Sequence, residues 1–189
     1  TLGAVMIYFR KDVLDALAGI SMILQGHWDQ REAQLVLLLA VATMPVVIVG
    51  LLMKITGLDD ALRSVQVIAW TMLIFGIVLW WADQTGPQEK KAEGWSLKDA
   101  FIMGLWQVLA LIPGTSRSGI TVTGARRLGY VREDAIRLAM LMSIPTIIAS
   151  GALLSFEVAS TMDGALARDS GIAAIFAFIA ALEIGRAHV

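Results

Sequence analysis

One stretch restricts this chain more than any other. From Gln34 to Met53 there are twenty residues without a charge, most of them apolar, and the run is bounded by Glu32 and Lys54. About 20 apolar residues in a helix match the hydrocarbon thickness of a bilayer. A lipid-exposed segment must satisfy its own backbone polar groups, so this one is predicted to be a transmembrane helix. Pro45 lies inside it, a residue that membrane helices tolerate when neighbours satisfy the freed carbonyl. The composition agrees: 57% of the 189 residues are hydrophobic and 16% charged, with a mean hydropathy of +0.72. Soluble domains carry about a quarter charged residues. A formal net charge of −1 argues against a nucleic-acid partner, because binding a duplex takes a basic surplus. The absence of cysteine removes disulfides, thiolate metal sites and a thiol nucleophile.

The remaining chain divides around further spans, giving an all-α, polytopic integral membrane protein. Val65 to Ala82 is a second span, with Trp80 and Trp81 as an interfacial anchor. Leu138 to Phe156 is a third, again with an internal proline, Pro145, and Gly171 to Leu182 begins another. Asp83 to Glu93 is a polar loop, Asp59 and Asp60 read as a turn, and residues 10–33 as a loop containing an interfacial helix. His27, beside Asp29 in that loop, reads as a solvated side chain and not as a metal ligand. Leu2 to Phe9 is too short to cross and reads as the tail of a helix. Residues 1–182 are therefore expected to form one membrane domain, incomplete at both ends. Residues 183–189, including His188, are expected to be a non-native tail.

The segment from Leu97 to Tyr130 behaves differently. Phe101 to Ile112 is apolar for only about three turns and stops at Pro113-Gly114. Such a run suits a buried or re-entrant half-helix better than a crossing. A re-entrant helix–loop–helix is predicted, with its loop at 113–121. Counting basic residues supports it. If the segment enters and leaves on one side, that side carries ten Lys and Arg in residues 10–33, 83–98 and 126–137. The other side carries Lys54, Arg63 and Arg168, so the first is cytoplasmic. Met44-Pro45 leading to Gly50 also echoes Ile144-Pro145 leading to Gly151, a trace expected of inverted-repeat membrane folds.

The chemistry gathers in Pro113-Gly-Thr-Ser-Arg-Ser-Gly-Ile-Thr121. Gly114 and Gly119 permit turns and close approach of a ligand. Ser116 and Ser118 offer hydroxyls, and successive N–H groups can form an anion nest. Thr121 stands near the start of the following helix, where the positive helix end favours an anion. Arg117 supplies a permanent planar fork that matches phosphate oxygens. A cation in an apolar stretch requires a counter-charge, so its partner is a distant carboxylate or the ligand itself. The alternative is a polar interfacial loop in which the serines cap helices and Arg117 snorkels to headgroups. The segment lacks the Gly-Lys-Ser/Thr ending of a nucleotide-binding loop. Gln107 either orients the loop or satisfies a helix contact. Arg126 and Arg127 read as topology determinants, with attraction of a phosphate as the alternative.

This nine-residue motif, preceded by Gly104 and Gln107 and followed by Gly124, resembles the second signature of the undecaprenyl-diphosphate phosphatases of the bacitracin-resistance type. The Met-Pro45 and Ser-Ile-Pro145 helices fit the same pattern, and the resemblance covers residues 1 to about 182. It implies an all-helical inner-membrane enzyme, half of an inverted-repeat bundle in this chain, with a polyprenyl diphosphate lipid as substrate. It also implies removal of the terminal phosphate, recycling of the lipid carrier for peptidoglycan synthesis, and bacitracin resistance. Arg117 would then clamp the diphosphate, with Ser116 and Thr121 binding it or assisting catalysis; Ser116 is a candidate nucleophile, and the nucleophile is left open. Gly114, Ser118, Gly119 and Gln107 would complete the substrate site. Such enzymes use a divalent cation, Mg²⁺ or Ca²⁺, whose carboxylate ligands belong to a first signature not found here. The one Glu-x-x-x-Glu in this sequence, Glu89 to Glu93, falls in the polar loop and not in such a signature, so the chain alone is expected to be inactive. Membrane lipids are the expected surroundings and a homodimer the oligomer to test for. A transporter or flippase of phosphorylated polyprenyl lipids is the rival function.

Overall fold

In a computed structural model, residues 2–58, 62–158 and 164–186 are described. Asp59 and Asp60, expected in a turn, lie outside these residues, as do Ala187 to Val189 of the expected tail. The described residues form eight α-helices: α1 (Leu2–Tyr8), α2 (Arg10–Leu24), α3 (Arg31–Thr56), α4 (Val65–Thr85), α5 (Leu97–Val108), α6 (Arg117–Arg127), α7 (Arg132–Val158) and α8 (Gly164–Arg186). Three are long and apolar enough to cross a membrane: α3, α4 and residues 132–152 of α7. These are the three complete spans read from hydropathy. At 26 residues α3 is about 39 Å long, enough to carry Arg31 and Lys54 to opposite faces of a bilayer. Both α3 and α7 continue through their prolines without a break.

Small residues set the distances between helices. Packing is broadest between α3 and α5, where a Cβ on Gly104 would stand 2.4 Å from the Ala42 carbonyl oxygen. Gly124 plays the same part between α6 and α5, since a Cβ there would meet the Trp106 ring at 2.8 Å. With no Cβ the backbones approach until their van der Waals surfaces touch, which is how membrane helices associate without a hydrophobic drive. The buried centre is made of Ala42, Met103, Ala125, Tyr130, Leu138 and Met142 from α3 and α5 to α7.

The α5–α6 hairpin enters and leaves on one side. Lys90, before α5, donates its N–H to the Gly129 carbonyl at 2.9 Å, and its own carbonyl accepts the Val131 N–H at 3.0 Å. The chain on either side of the hairpin is thus paired, which fits the re-entrant reading and the basic-residue count. The pairing is reinforced by a buried carboxylate. Asp99 accepts from Lys90 Nζ and from the Tyr130 hydroxyl, both at 2.8 Å. Burial alone would raise its pKa, but these hydrogen bonds and the Lys90 charge outweigh burial and hold it below the usual carboxylate range. The Tyr130 phenol moves the other way, well above its ordinary value, through burial first and then the adjoining Asp99 charge.

Arg126 does more than add a charge to the basic side. It is a fully buried clamp. Its guanidinium donates to Asp83 Oδ1, to the backbone carbonyls of Asp83, Gly86 and Pro87, and at 2.6 Å to that of Tyr130. The carbonyls left open at the end of α4 are thereby satisfied by one side chain. Arg127 remains exposed and stacks on Trp81, its guanidinium carbon 4.5 Å from the ring centroid.

Candidate active site

The segment expected to be a loop over 113–121 is shorter than that. A 3₁₀ turn over Leu109–Leu111 leads to Pro113-Gly114, and α6 already begins at Arg117. The reason is the Ser116 hydroxyl, which accepts the Gly119 N–H at 3.2 Å and caps the helix. Thr121 and Thr123 then return their hydroxyls to the carbonyls of Arg117 and Gly119, both at 2.8 Å, tightening the first turns. Arg117, Ser118 and Gly119 therefore sit in the positive first turn of an 11-residue helix.

The turn before α6 is fixed to α4. Thr71 donates its hydroxyl to the Pro113 carbonyl at 2.6 Å. Gly114 has φ +92°, and a Cβ on it would lie 2.3 Å from Thr71 Oγ1 and 2.6 Å from the Ile68 carbonyl oxygen. Only glycine meets both demands, conformation and closeness.

Arg117 faces a cavity of about 240 Å³ between α3, the 3₁₀ turn, α6 and α7. Its wall is mainly apolar, with Val46, Leu51, Ala110 and Ala149 among the lining groups. The charged groups on it are Arg117 and Lys54, and Thr146 and Ser150 add hydroxyls. Arg117 is half-buried and, among the described residues, has no carboxylate partner. That is the state expected of a cation whose counter-charge is a ligand.

The proposed site residues thus separate by position. Ser116 is exposed at the head of α6. Its oxygen accepts the Gly119 N–H, which leaves its own proton for an acceptor outside. Ser118 and Gly119 follow it in the same turn. Thr121 is 1% exposed with its hydroxyl proton given to the Arg117 carbonyl, so it braces Arg117 from behind. Gln107 is also buried and makes a helix contact, its Nε2 donating to Thr146 Oγ1 at 2.6 Å. The residues that sequence reasoning missed are Lys54, Thr71, Thr146 and Ser150. Polar groups inside otherwise apolar helices were the available signal, and for Thr71 and Thr146 it would have sufficed.

The expected divalent cation does not fit these residues. Among the described residues no three His, Cys, Asp or Glu come together, and the cavity carries a guanidinium and an ammonium where a metal would need carboxylates.

The family described as bacitracin resistance protein BacA matches residues 1–187. The undecaprenyl-diphosphatase of Dinoroseobacter shibae is 63% identical over 182 residues, covering 96% of this chain and 68% of that protein. That of Ruegeria pomeroyi is 61% identical over the same shares. A more distant undecaprenyl-diphosphatase, from Alteromonas mediterranea, is 44% identical over 159 residues, 83% of this chain and 59% of the relative.

Proposed function

Because the chain belongs to the bacitracin resistance protein BacA family, we propose that it dephosphorylates undecaprenyl diphosphate at the cavity between α3, α6 and α7. The observation that carries this reading is Arg117, a half-buried guanidinium at a helix N-terminus, on the wall of an apolar cavity. The apolar wall accepts the first units of the polyprenyl chain, and Arg117 with the first turn of α6 receives the diphosphate.

The reaction cleaves the phosphoric anhydride. Water supplies an oxygen to the terminal phosphorus, the bridging P–O bond breaks, and undecaprenyl phosphate and orthophosphate are the products. Negative charge grows on the bridging oxygen and spreads over the phosphoryl oxygens, and a fixed guanidinium stabilises it without reorganising. The Ser116 hydroxyl, held by the Gly119 N–H, donates its proton as a hydrogen bond to a phosphoryl oxygen. Thr121 acts through Arg117, as a positioning residue.

The site opens toward the face opposite the basic cluster. Lys54 ends α3 at the far side from Arg31, and the 12-residue α5 carries the turn about 18 Å from Ser96. With the basic side read as cytoplasmic, this supports a reaction on the outer side of the bacterial inner membrane. Released lipid monophosphate returns to peptidoglycan synthesis, and bacitracin resistance accompanies this activity.

The test is orthophosphate release from undecaprenyl diphosphate by the natural gene product that carries this sequence, purified in detergent. Arg117→Gln should lower release by about a hundredfold. Transfer of the lipid between leaflets with no orthophosphate formed would replace the enzyme reading with the flippase reading.

A further inference from the structure

We propose that the groove between α4, α6 and α7, on the basic side of the membrane, holds one anionic phospholipid, its phosphodiester on Arg132 and an acyl chain along the apolar wall. The groove has a volume of about 380 Å³. Gly76, Leu79 and Trp80 of α4, Val122 of α6 and Ile136 of α7 line it, together with the charged pair Asp83 and Arg132. It is a different place from the cavity of Arg117 and does not depend on how that cavity is read: Arg132 lies about 21 Å along α7 from Thr146. From Asp83 to Gly76 the groove follows α4 for about 10 Å, from the level of Trp80 and Trp81 into the apolar span. That depth suits the glycerol esters and first methylenes of a phospholipid.

The charge comes from an unequal triad. One carboxylate, Asp83, is shared by two guanidinium groups. Arg126 donates to it from Nε at 3.2 Å, and Arg132 from Nε at 2.7 Å and Nη2 at 2.5 Å. The three groups together carry one positive charge. Arg126 is fully buried and its other partners are neutral carbonyls, so an anion reaches that charge only at Arg132, whose side chain is 55% exposed. Arg132 Nη1 makes no hydrogen bond among the described residues. Glu133 and Asp134 share its turn, but neither lines the groove, and Asp134 accepts the Ala92 N–H. A phosphodiester supplies one negative charge and matches the planar fork. Basic pockets between membrane helices take anionic headgroups for this reason. The ordinary reading of Arg132 is an ion pair that ties α7 to α4. That role accounts for Asp83 and leaves both the spare charge and the apolar groove beside Trp80 without a use.

Native mass spectrometry of the detergent-purified chain, titrated with phosphatidylglycerol or phosphatidylcholine, tests the proposal. Phosphatidylcholine has the same phosphate and acyl chains but carries a compensating cation. The first phosphatidylglycerol should bind about fivefold or more tightly than phosphatidylcholine. Arg132→Gln should remove that preference, and Arg132→Lys, which keeps the charge, should retain most of it. Gly76→Leu fills the groove without disturbing the helices, because a Cβ on Gly76 meets nothing within 4 Å. It should weaken phosphatidylglycerol about tenfold, while the unfolding temperature without added lipid stays at or above that of the wild type. No preference in the wild type, or phosphatidylglycerol binding unchanged by Arg132→Gln or by Gly76→Leu, would overturn the proposal. Soluble glycerol 3-phosphate binding as tightly as the lipid would also overturn it, since the apolar groove would then add nothing. So would a dimer that Gly76→Leu abolishes, appearing in place of the lipid-bound monomer, because the groove would then be a contact between copies.

Discussion

Gln107 and Thr146 meet across the gap between α5 and α7, with Nε2 2.6 Å from Oγ1, and join the re-entrant hairpin to a membrane-spanning helix. Thr146 passes its own proton to the Met142 carbonyl at 2.8 Å, while Gln107 Oε1 is buried without a partner among the described residues. The two residues therefore respond unequally to substitution. Thr146→Val removes the acceptor that the amide has among the described residues and strands a buried donor, and should destabilise by about 1–3 kcal/mol. Gln107→Met removes the unpaired oxygen together with the donor and should cost less than about 1 kcal/mol. Thermal unfolding in one detergent would separate the two. An equal loss would mean that the amide contact has no directional role.

Arg126 and Arg127 are neighbours in sequence and opposites in structure. The first is buried with five acceptors, and the second is exposed on Trp81. Arg126→Ala should destabilise by about 3–5 kcal/mol, because several buried carbonyls lose their donor at once. Arg126→Lys should recover little, since an ammonium cannot reproduce the planar fork. Arg127→Ala should stay within about 1 kcal/mol, the worth of an exposed cation–π contact. Matching losses in the two alanine variants, read from the same melting experiment, would refute the clamp.

How far the sequence could be read depends on which physical signal each feature leaves. The spans were legible because hydropathy over about 20 residues is a property of the segment itself. The hairpin was legible because twelve apolar residues are too few to cross, and the pairing of its ends through Lys90 agrees with a re-entrant segment. The start of α6 at Arg117 was misplaced, although Ser116 three residues before Gly119 is a cap signal, because two glycines and a proline nearby suggested a longer loop. Arg126 was illegible in principle, for a basic residue at a membrane face looks the same in sequence whether solvated or buried. So was the placing of Lys54 and Arg117 on one cavity, which arises from how α3 packs against the hairpin.

Tyr130 offers a spectroscopic check of the buried anchor. The chain has two tyrosines, and Tyr8 is 60% exposed, so Tyr8→Phe leaves Tyr130 as the only phenol. Its phenolate should appear well above the ordinary value of about 10, since ionisation would set a second negative charge beside Asp99 in a buried place. The sign for stability follows. The unfolded phenol loses its proton first, so stability is full below about pH 10 and falls as pH rises past it. Asp99→Asn should bring the titration back toward the ordinary value. A phenolate that forms near pH 10 in the Tyr8→Phe protein would deny the contact.

Gly114 tests whether the site depends on the turn more than on any side chain. Its φ of +92° disfavours a side chain by about 1–2 kcal/mol, and overpacking against Thr71 and Ile68 adds about 1–3 kcal/mol. Gly114→Ala should relieve this by moving the turn away from α4, which breaks the Thr71 to Pro113 hydrogen bond. The head of α6 would move with it, carrying Ser116 and Arg117. The expected result is a protein that still inserts and is helical but binds farnesyl diphosphate at least about tenfold more weakly. Thr71→Val should reproduce part of this loss, since it removes the hydrogen bond but leaves the space unfilled. If Gly114→Ala binds as the wild type does, Arg117 does not owe its position to the turn, and the packing of α6 against α5 and α7 must set it instead.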